Sequence, residues 1–347
     1  MTVSKEQVKA VVTTFQHPRT GQDLITADVV RALAIKDSNV QLVLDVLAKD
    51  AAIMRPLREQ LELAIREIEG VSGVTVILTA ERGNKPAPEL ATPRPERVAG
   101  VKHIIAVGSG KGGVGKSTIS ANLALALADL GLRIGLLDAD IYGPSQPKMM
   151  GATGRPIAMN NTIIPIAAHG IKIMSVGFLM EEDKALVWRG PILANALQQM
   201  LHEVAWDPLD ILVVDLPPGT GDVQITLTQQ TPIDGAIIVT TPQDISLIDA
   251  RRALDMFHQT GTPILGLIEN MSTHICTNCG NEDDVFGHGG GQAEAKLQGI
   301  EFLGTLPLTR DVRQASDGGT PIVKLQPGSP HASKFHEMAL KISANIC

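Results

Sequence analysis

The sequence has few aromatic residues and few cysteines. Phenylalanine, tryptophan and tyrosine make up 3% of its 347 residues, too few for the aromatic platforms on which single-stranded nucleic acid stacks. Three cysteines cannot form a disulfide framework, so we expect the protein to work in the reducing cytoplasm. Neither an apolar run of 18 residues nor a basic-then-apolar N-terminal segment is present. We therefore expect no transmembrane helix and no secretory signal.

Positive charge is also scarce. The 30 lysine and arginine residues stand against 37 aspartate and glutamate residues, for a net charge of −7, whereas a broad nucleic-acid-binding surface is basic. Residues 331–341 are mixed in charge and do not form the basic amphipathic pattern of a membrane-binding helix. We expect no nucleic-acid partner and no membrane partner. Apolar residues make up 44% of the chain, which is enough for a large core.

Proline marks a division of the chain. Residues 81–100 contain four prolines and few large apolar residues, which is typical of a semi-rigid linker. Before this segment, apolar residues alternate over 40–46 and follow helical spacing over 57–68. We predict a small α+β domain over residues 1–80, a linker over 81–100 and a second domain over 101–347.

Strand-like and helix-like patterns alternate in the second domain. This alternation predicts an α/β fold with a doubly wound, mostly parallel sheet. Ligands of such sheets bind beyond the carboxyl ends of the strands. The strand candidates are residues 103–107, 133–137, 211–214, 235–239, 264–268 and 302–306.

A glycine-rich segment follows the first of these strands. Residues 110–118 contain the pattern Gly-x4-Gly-Lys-Ser, which between a strand and a helix is a P-loop that binds phosphates through backbone N–H groups. Lys116 is expected to reach the β and γ phosphates, and Ser117 to reach Mg²⁺. We predict a P-loop NTPase domain whose phosphate-binding residues are Gly110, Lys111, Gly112, Gly113, Val114, Gly115, Lys116, Ser117 and Thr118.

Carboxylates stand at the ends of two predicted strands. Asp138 and Asp140 follow the second strand, and Asp215 follows the third. Mg²⁺ held by one or two carboxylates and water commonly neutralises transferring phosphates. We predict that Asp215 lies beside Mg²⁺, that Asp140 orients or deprotonates the attacking water, and that Asp138 is a supporting carboxylate. The competing interpretation of each aspartate is a helix cap.

Two of the three cysteines form a Cys-x-x-Cys pair. Cys276 and Cys279 can hold one metal ion or one edge of a cluster, but two thiolates complete neither a structural zinc site nor a four-iron cluster. A two-fold symmetric dimer would bring four thiolates together. His274 and His288 flank the pair and are candidate ligands, although exposed loop histidines are common. A dithiol redox role lacks its usual strand-to-helix context.

The loop with its extra lysine resembles the deviant P-loop of the superfamily that contains nitrogenase iron protein and the septum-positioning and chromosome-partition ATPases. The resemblance implies that Lys111 reaches the nucleotide of the partner subunit, as a cation supplied in trans; otherwise it is a solvated loop lysine. It also implies that Asn270 hydrogen-bonds adenine, with Pro242 and Gln243 beside the base. The guanine-reading pattern Asn-Lys-x-Asp is absent, which favours ATP over GTP.

Further motifs resemble those of the Mrp-type iron–sulfur cluster carrier ATPases. They cover residues 101 to about 325 and comprise 138–145, 188–191, 215–222, 269–272 and 276–280. The resemblance implies a homodimer that hydrolyses ATP slowly, with Mg²⁺. It also implies that Cys276 and Cys279 hold a labile [4Fe–4S] cluster between subunits and that the protein delivers the cluster to apo iron–sulfur proteins. The alternative is a partition- or positioning-type ATPase with a structural zinc at the thiol pair.

The N-terminal part resembles the small α+β module of iron–sulfur assembly pathways. Residues 49–56 lack the cysteine that this module often carries, so we expect docking of assembly factors or other partners rather than cluster binding. Arg189 is a candidate either for a phosphate contact or for an ion pair. Cys347, at the end of the sequence, is expected to be incidental.

Overall fold

The computed structural model describes residues 5–27, 29–36, 39–47, 51–68, 70–81, 96–159, 162–179, 190–276 and 278–346. These residues belong to two compact units, Met1–Thr92 and Pro93–Cys347. Most of the predicted linker, together with Trp188, Arg189 and Cys347, lies outside the described residues.

In its described residues, the first unit is a three-stranded sheet with two helices. Strand β2 pairs with β1 in the antiparallel sense and with β3 in the parallel sense. The predicted alternation over 40–46 matches the structure, because the even-numbered residues Val40 to Val46 are buried and one face of a strand carries every second side chain. The elements are α1 (Lys5–Val12), β1 (Val30–Lys36), β2 (Asn39–Leu47), α2 (Ala51–Arg66) and β3 (Gly73–Glu81).

The core of this unit forms between the sheet and its helices. Leu61 and Ile65, four residues apart on α2, are fully buried with Leu42 of β2, as expected of neighbours on one helix face. Helix α1 buries Val8 and Val12 in the same core. The sequence pattern did not predict α1, because eight residues give little more than two turns of periodicity.

The second unit contains the larger sheet. Its strands are β4 (Val101–Gly108), β5 (Ile134–Asp138), β6 (Ile157–Met159), β7 (Thr162–Ile164), β8 (Ile166–Ala168), β9 (Ile171–Ser175), β10 (Leu209–Asp215), β11 (Gly235–Thr240), β12 (Ile264–Ile275), β13 (Glu282–Asp283) and β14 (Phe302–Leu308). Its helices are α3 (Lys116–Asp129), α4 (Gln146–Met149), α5 (Gly190–His202), α6 (Asp222–Gln230), α7 (Asp244–Gln259), α8 (Gly290–Gln298), α9 (Arg310–Asp317), α10 (Ile322–Leu325) and α11 (Pro330–Ile346), with a 3₁₀ turn at Val176–Phe178.

The sheet is doubly wound and mostly parallel, as the strand–helix alternation predicts. Within the described residues its order is β13-β12-β11-β4-β10-β5-β9-β8, with β14 paired to β12. The pairs from β12 to β9 along this order, and the pair of β14 with β12, are parallel, whereas β13 and β8 are antiparallel edge strands. Strands β6 and β7 form a separate hairpin.

Helices cover both faces of this sheet. Along β4, Ile105 and Val107 pack in one core with α3, α10 and α11, whereas Ile104 and Ala106 pack in another with α5, α6 and α7. A strand covered on both faces needs apolar side chains on both, which is why the central strands are continuous apolar runs. No helix in the described residues combines the length and the apolar character that a membrane crossing requires.

Strand β12 is longer than predicted. We expected a strand over 264–268 with Asn270 beyond its end, but the strand runs to Ile275 and contains Asn270. Its pairing with β14 places Asn270 opposite Leu306 and His274 opposite Leu308, so β12 bulges by two residues. Met271 lies in this bulge with a φ of 56°. The extension was not predicted from the sequence, because polar residues interrupt the apolar pattern after residue 268. The strand continues there because it pairs with β13 and β14, and such pairing depends on tertiary structure.

Candidate nucleotide site and thiol loop

The phosphate-binding loop joins β4 to α3. A side chain at Gly110 would collide with the backbone of Asp249 on α7, so the loop packs closely against that helix. Gly115 has a φ of +85° and has no room for a side chain beside Asn270. The glycines therefore permit both the close approach and the left-handed turn that precede the first residue of α3, Lys116.

The lysine of the loop is paired with the strand carboxylate. Lys116 is 6% exposed and forms an ion pair with the fully buried Asp215 at the end of β10. The Ser120 hydroxyl donates to Asp215 Oδ1 at 3.0 Å. Asp215 lies in register with Asp138 of β5. The structure thus brings Lys116, Asp138 and Asp215 together beyond the carboxyl ends of neighbouring strands.

Asp138 is fully buried and organises the segment that follows it. Its Oδ2 accepts hydrogen bonds from the Ser175 hydroxyl at 3.0 Å and from the backbone N–H of Ser145 at 3.0 Å. Burial, followed by the negative charge of Asp215, raises the pKa of Asp138 to about 7. Through these contacts Asp138 holds the loop between β5 and α4 in place. This role is close to the competing interpretation of Asp138 as a helix cap.

Asp140 is more exposed than Asp138. Its Oδ1 accepts a hydrogen bond from the backbone N–H of Gly143 at 3.2 Å, and its own N–H donates to Asp138 Oδ1 at 3.2 Å. The carboxylate is therefore held at the surface of the site while it retains free acceptor positions. That environment is compatible with the predicted contact to a water molecule.

The oxygen atoms near the loop suit Mg²⁺. At the start of α3, Lys116 Nζ donates to the Ser117 hydroxyl at 3.3 Å and is also paired with the Asp215 carboxylate. Hard oxygen donors of this kind, completed by water, are what Mg²⁺ prefers. Gln146 also reaches this point, with its side-chain N–H donating to Asp215 and to the carbonyl of Ser117. No sequence motif indicated Gln146.

Lys111 is partly buried and has a partner within the same chain. Its Nζ donates to Gln243 Oε1 at 3.1 Å. Gln243 is the residue before α7, and it was expected beside the adenine base. In the structure it instead holds the extra lysine of the loop.

A cavity of about 540 Å³ lies beside the phosphate loop. Gly115 and Thr118 of the loop line one side, and Asn270, which was predicted to contact the base, lines another. The Asn270 side-chain N–H donates to the carbonyl of Val114 at 2.9 Å, so this residue supports the loop directly. The remaining lining comes from Ile119, Met149, Met271, His274, Leu306, Pro307, Leu308, Thr309, Arg310, Val312, Arg313, Ser316, Asp317, His331 and Phe335.

The sequence did not indicate most of this cavity. Its wall is formed by the carboxyl end of β14 and by α9, and Pro242 and Gln243 are not part of the lining. Among the side chains that the structure describes there, buried His331 Nδ1 has no hydrogen-bond partner. The predicted strand over 302–306 was the one sequence feature that could have indicated this wall, because ligands bind beyond the carboxyl ends of parallel strands.

The thiol pair follows directly from the end of β12. The turn is closed by two hydrogen bonds, from the N–H of Cys276 to the Asn281 carbonyl and from the N–H of Gly280 to the Cys276 carbonyl, both at 2.9 Å. Cys276 and Cys279 are free thiols, the second of them exposed. Hydrogen bonds from the backbone of Cys279 and then of Asn278 lower the pKa of the Cys276 thiol, which favours the thiolate that binds metals.

The flanking histidines have other contacts. His274 Nδ1 lies 3.2 Å from the Leu308 carbonyl, and His288 Nδ1 lies 3.5 Å from Asp284 Oδ1. Within the described part of the chain, no group of three or more histidine, cysteine, aspartate and glutamate residues is placed to hold a metal ion. The thiol pair is therefore an incomplete site in a single copy of the chain.

The family model of the NUBPL iron-transfer P-loop NTPases matches residues 100–343. The chain belongs to this family. As a NUBPL-type P-loop NTPase, it is an enzyme that hydrolyses nucleoside triphosphates. The match confirms the resemblance to the Mrp-type ATPases that the motifs indicated. A second family model, of iron–sulfur cluster assembly proteins, matches residues 5–76.

Relatives of this NUBPL-type NTPase cover nearly all of its length. The iron–sulfur cluster carrier protein of Escherichia coli K12 is 42% identical over 352 residues, which span 99% of this chain and 92% of the relative. The iron–sulfur cluster carrier protein of Pseudomonas fragi is 47% identical over 283 residues, which span 81% of this chain and 97% of the relative.

Solved structures confirm the predicted fold class. A nucleotide-binding protein of Archaeoglobus fulgidus, in complex with ADP, is 37% identical with a TM-score of 0.60, and the match covers 70% of this NTPase and 96% of that chain. The cell division ATPase MinD of Pyrococcus furiosus is 21% identical with a TM-score of 0.53, covering 70% and 98% of the two chains. The second likeness concerns the fold alone.

Proposed function

We propose that this protein is an ATP-hydrolysing carrier that accepts a labile [4Fe–4S] cluster between two copies of the chain and delivers it to apo iron–sulfur proteins. One observation carries the proposal. Strand β12 contains Asn270, which bonds the phosphate loop, and leads within six residues to Cys276. The names of the relatives, iron–sulfur cluster carrier proteins, support the same cargo.

ATP is the proposed nucleotide. The cavity of about 540 Å³ beside the phosphate loop lies within the size range of ligand pockets. Asn270, which lines this cavity, is proposed to contact adenine. The related protein from Archaeoglobus fulgidus was solved with ADP.

The hydrolytic roles are assigned to the residues gathered at the loop. Lys116 leaves its ion pair with Asp215 to bind the β and γ phosphates. Ser117 would hold Mg²⁺, with Asp215 beside the ion, and Mg²⁺ would neutralise phosphate charge. Asp140 orients or deprotonates the attacking water, and Asp138 keeps the surrounding segment in place. Lys111 exchanges Gln243 for the nucleotide of the partner subunit.

The cluster site is proposed to need two copies of the chain. Each copy offers two thiols, and a [4Fe–4S] cluster held by cysteine alone needs four. Ile245 and Ile248 on α7 are 70% and 46% exposed, and this helix packs against the phosphate loop. We propose that this apolar surface contributes to a homodimer contact in the cytoplasm, where thiols remain reduced.

The N-terminal unit is proposed to dock partners. Its match to the model of iron–sulfur cluster assembly proteins supports a role in the same process. Both cysteines of the described residues belong to the second unit, so the first unit has no thiol of its own there to bind a cluster. Binding of recipient proteins or assembly factors is the role that remains for residues 1–80.

Anaerobic reconstitution tests the carrier function. We expect about four iron and four sulfide per dimer, with a visible absorption that oxygen bleaches. Cys276→Ser and Cys279→Ser should each abolish retention of the cluster, while ATP hydrolysis largely survives because the phosphate site is separate. Cys347→Ser is the matched control and should retain the cluster.

The rival zinc site gives a different result. A colourless, oxygen-indifferent protein with about one zinc per dimer, and with no bound iron or sulfide, would show a structural zinc scaffold of the partition or positioning type. That outcome would refute cluster transfer but leave ATP hydrolysis standing.

A further inference from the structure

Gln146 is fully buried at the centre of the nucleotide site. It is the first residue of α4, and its backbone N–H donates to Asp138 Oδ2 at 3.1 Å. Glutamine is mostly an exposed residue, and burying an amide is unfavourable unless hydrogen bonds satisfy it. Its position therefore calls for an explanation.

The side-chain N–H groups of Gln146 join two parts of the predicted metal site. Nε2 donates to Asp215 Oδ2 at 2.8 Å and to the carbonyl oxygen of Ser117 at 3.0 Å. These contacts also fix the orientation of the amide. A flipped amide would place Oε1 against a carboxylate and a carbonyl, which are both acceptors.

The oxygen of the same amide is not satisfied. Gln146 Oε1 is buried and has no hydrogen-bond partner among the residues described, and the same holds for the neighbouring hydroxyl of Ser145. Leaving a buried acceptor unpaired is unfavourable. Mg²⁺ in nucleotide sites keeps several of its waters, and a water bound to a cation is a strong hydrogen-bond donor.

We propose that Gln146 is a positioning residue for Mg²⁺. Its Nε2 holds the Asp215 carboxylate and the Ser117 backbone at the ion, and its Oε1 accepts a hydrogen bond from a water of the ion. The inference rests on the proposed nucleotide function. It adds a residue that no motif assigns.

Mg²⁺ dependence of nucleotide binding separates this role from a purely structural one. The probe is a fluorescent ADP analogue, titrated with the full-length protein in excess EDTA and then with increasing Mg²⁺. Gln146→Leu keeps the volume but removes both hydrogen-bonding functions. Gln198→Leu, on α5 with its amide bonded to Gln230, is the matched control.

We expect Gln146→Leu to raise the half-saturating Mg²⁺ concentration about 10- to 100-fold, the usual effect of removing a group that orients metal ligands. Affinity for the analogue in EDTA should change less than about twofold, since no phosphate contact is removed. The control should match the wild-type protein in both measurements. Gln146→Asn, a milder change, should shift the Mg²⁺ dependence in the same direction.

Two results would overturn the inference. One is an unchanged Mg²⁺ dependence in both Gln146 variants; the other is an equal loss of affinity with and without Mg²⁺, which is the mark of a structural role. If the wild-type protein itself fails to bind the analogue, the proposed nucleotide function fails instead, so the two ideas are tested separately.

Discussion

At the scale of single residues, the nucleotide site holds a charge pair that nucleotide binding must rearrange. Lys116 and Asp215 are both buried and neutralise each other. Removing one partner of a buried pair leaves an uncompensated charge, typically at a cost of about 3–5 kcal/mol. If Lys116 binds the phosphates as proposed, they must compete with Asp215 for its ammonium group.

Substitution of the two loop lysines should separate binding from hydrolysis. Lys116→Ala should abolish nucleotide binding or turnover, because the cation for the β and γ phosphates is lost. Lys111→Ala should leave ATP affinity nearly intact but reduce turnover on the order of 10³-fold, the lower range for a cation supplied in trans. Isothermal titration with a non-hydrolysable analogue and a phosphate-release assay measure the two effects.

The exposed Lys296 on α8 offers a control, because it belongs neither to the phosphate loop nor to the lining of the cavity beside it. Lys296→Ala should change neither quantity. Full turnover in Lys111→Ala would contradict the action of this lysine across a dimer and would restore its interpretation as a solvated loop residue.

At the scale of elements, one carboxylate ties together the amino ends of three neighbouring strands. Asp210 near the start of β10 accepts hydrogen bonds from Arg133 Nε at 2.9 Å and Nη2 at 2.8 Å, and it pairs with Lys102 of β4 at 2.9 Å. Arg133 immediately precedes β5. Hydrogen bonds from Arg133 and then from Lys102 hold the pKa of Asp210 well below its usual value of 3.8.

Asp210 should therefore contribute to stability in a pH-dependent way. A carboxylate whose pKa is lowered by folding stabilises the protein above its unfolded pKa and loses that effect as the pH falls. Asp210→Asn should lower the unfolding free energy by about 1 kcal/mol at pH 7, and the difference from wild type should shrink below about pH 4. Thermal unfolding at a series of pH values measures this.

ATP turnover provides the control for Asp210→Asn, since the residue lies at the strand ends opposite the nucleotide site. Turnover per folded molecule should be unchanged. A difference in stability that stays constant between pH 7 and pH 3 would contradict the assigned cause.

The sequence predicted most elements of the second unit but not all of its site. The central strands are continuous apolar runs that alternate with helices along the chain, and the P-loop has a fixed spacing, so both were predictable. The extension of β12, the cavity wall at α9 and the position of Gln146 depend on contacts between distant segments. No local periodicity or motif encodes such contacts, and a glutamine at the start of a four-residue helix has no distinctive pattern.

At the scale of the whole molecule, each unit has its own core. The buried residues of the first unit, such as Leu42 and Leu61, form a cluster separate from the two clusters around the larger sheet. The phosphate loop, the carboxylates and the thiol pair all belong to residues 93–347. A unit with its own core is expected to fold independently.

A protein comprising residues 93–347 should fold and hydrolyse ATP. We expect its turnover and its KM for ATP to lie within about twofold of the full chain, because no site residue has been removed. Circular dichroism and the phosphate-release assay measure this, with residues 1–92 as the companion fragment that should fold without binding ATP. A fragment 93–347 that folds but has no activity would place part of the nucleotide site in the first unit.

The length of β12 limits how the two ends of the site can influence each other. Six residues separate Asn270 from Cys276, which in an extended strand is about 20 Å, and the bulge at Met271 shortens the span. Charges in solution are screened over about 8 Å at physiological ionic strength. A change of charge at the phosphate loop is therefore weakly felt at the thiols of Cys276 and Cys279. A change of strand geometry at the bulge, where Met271 lines the cavity beside the phosphate loop, would act on the thiols through the backbone of β12, and salt would not screen it.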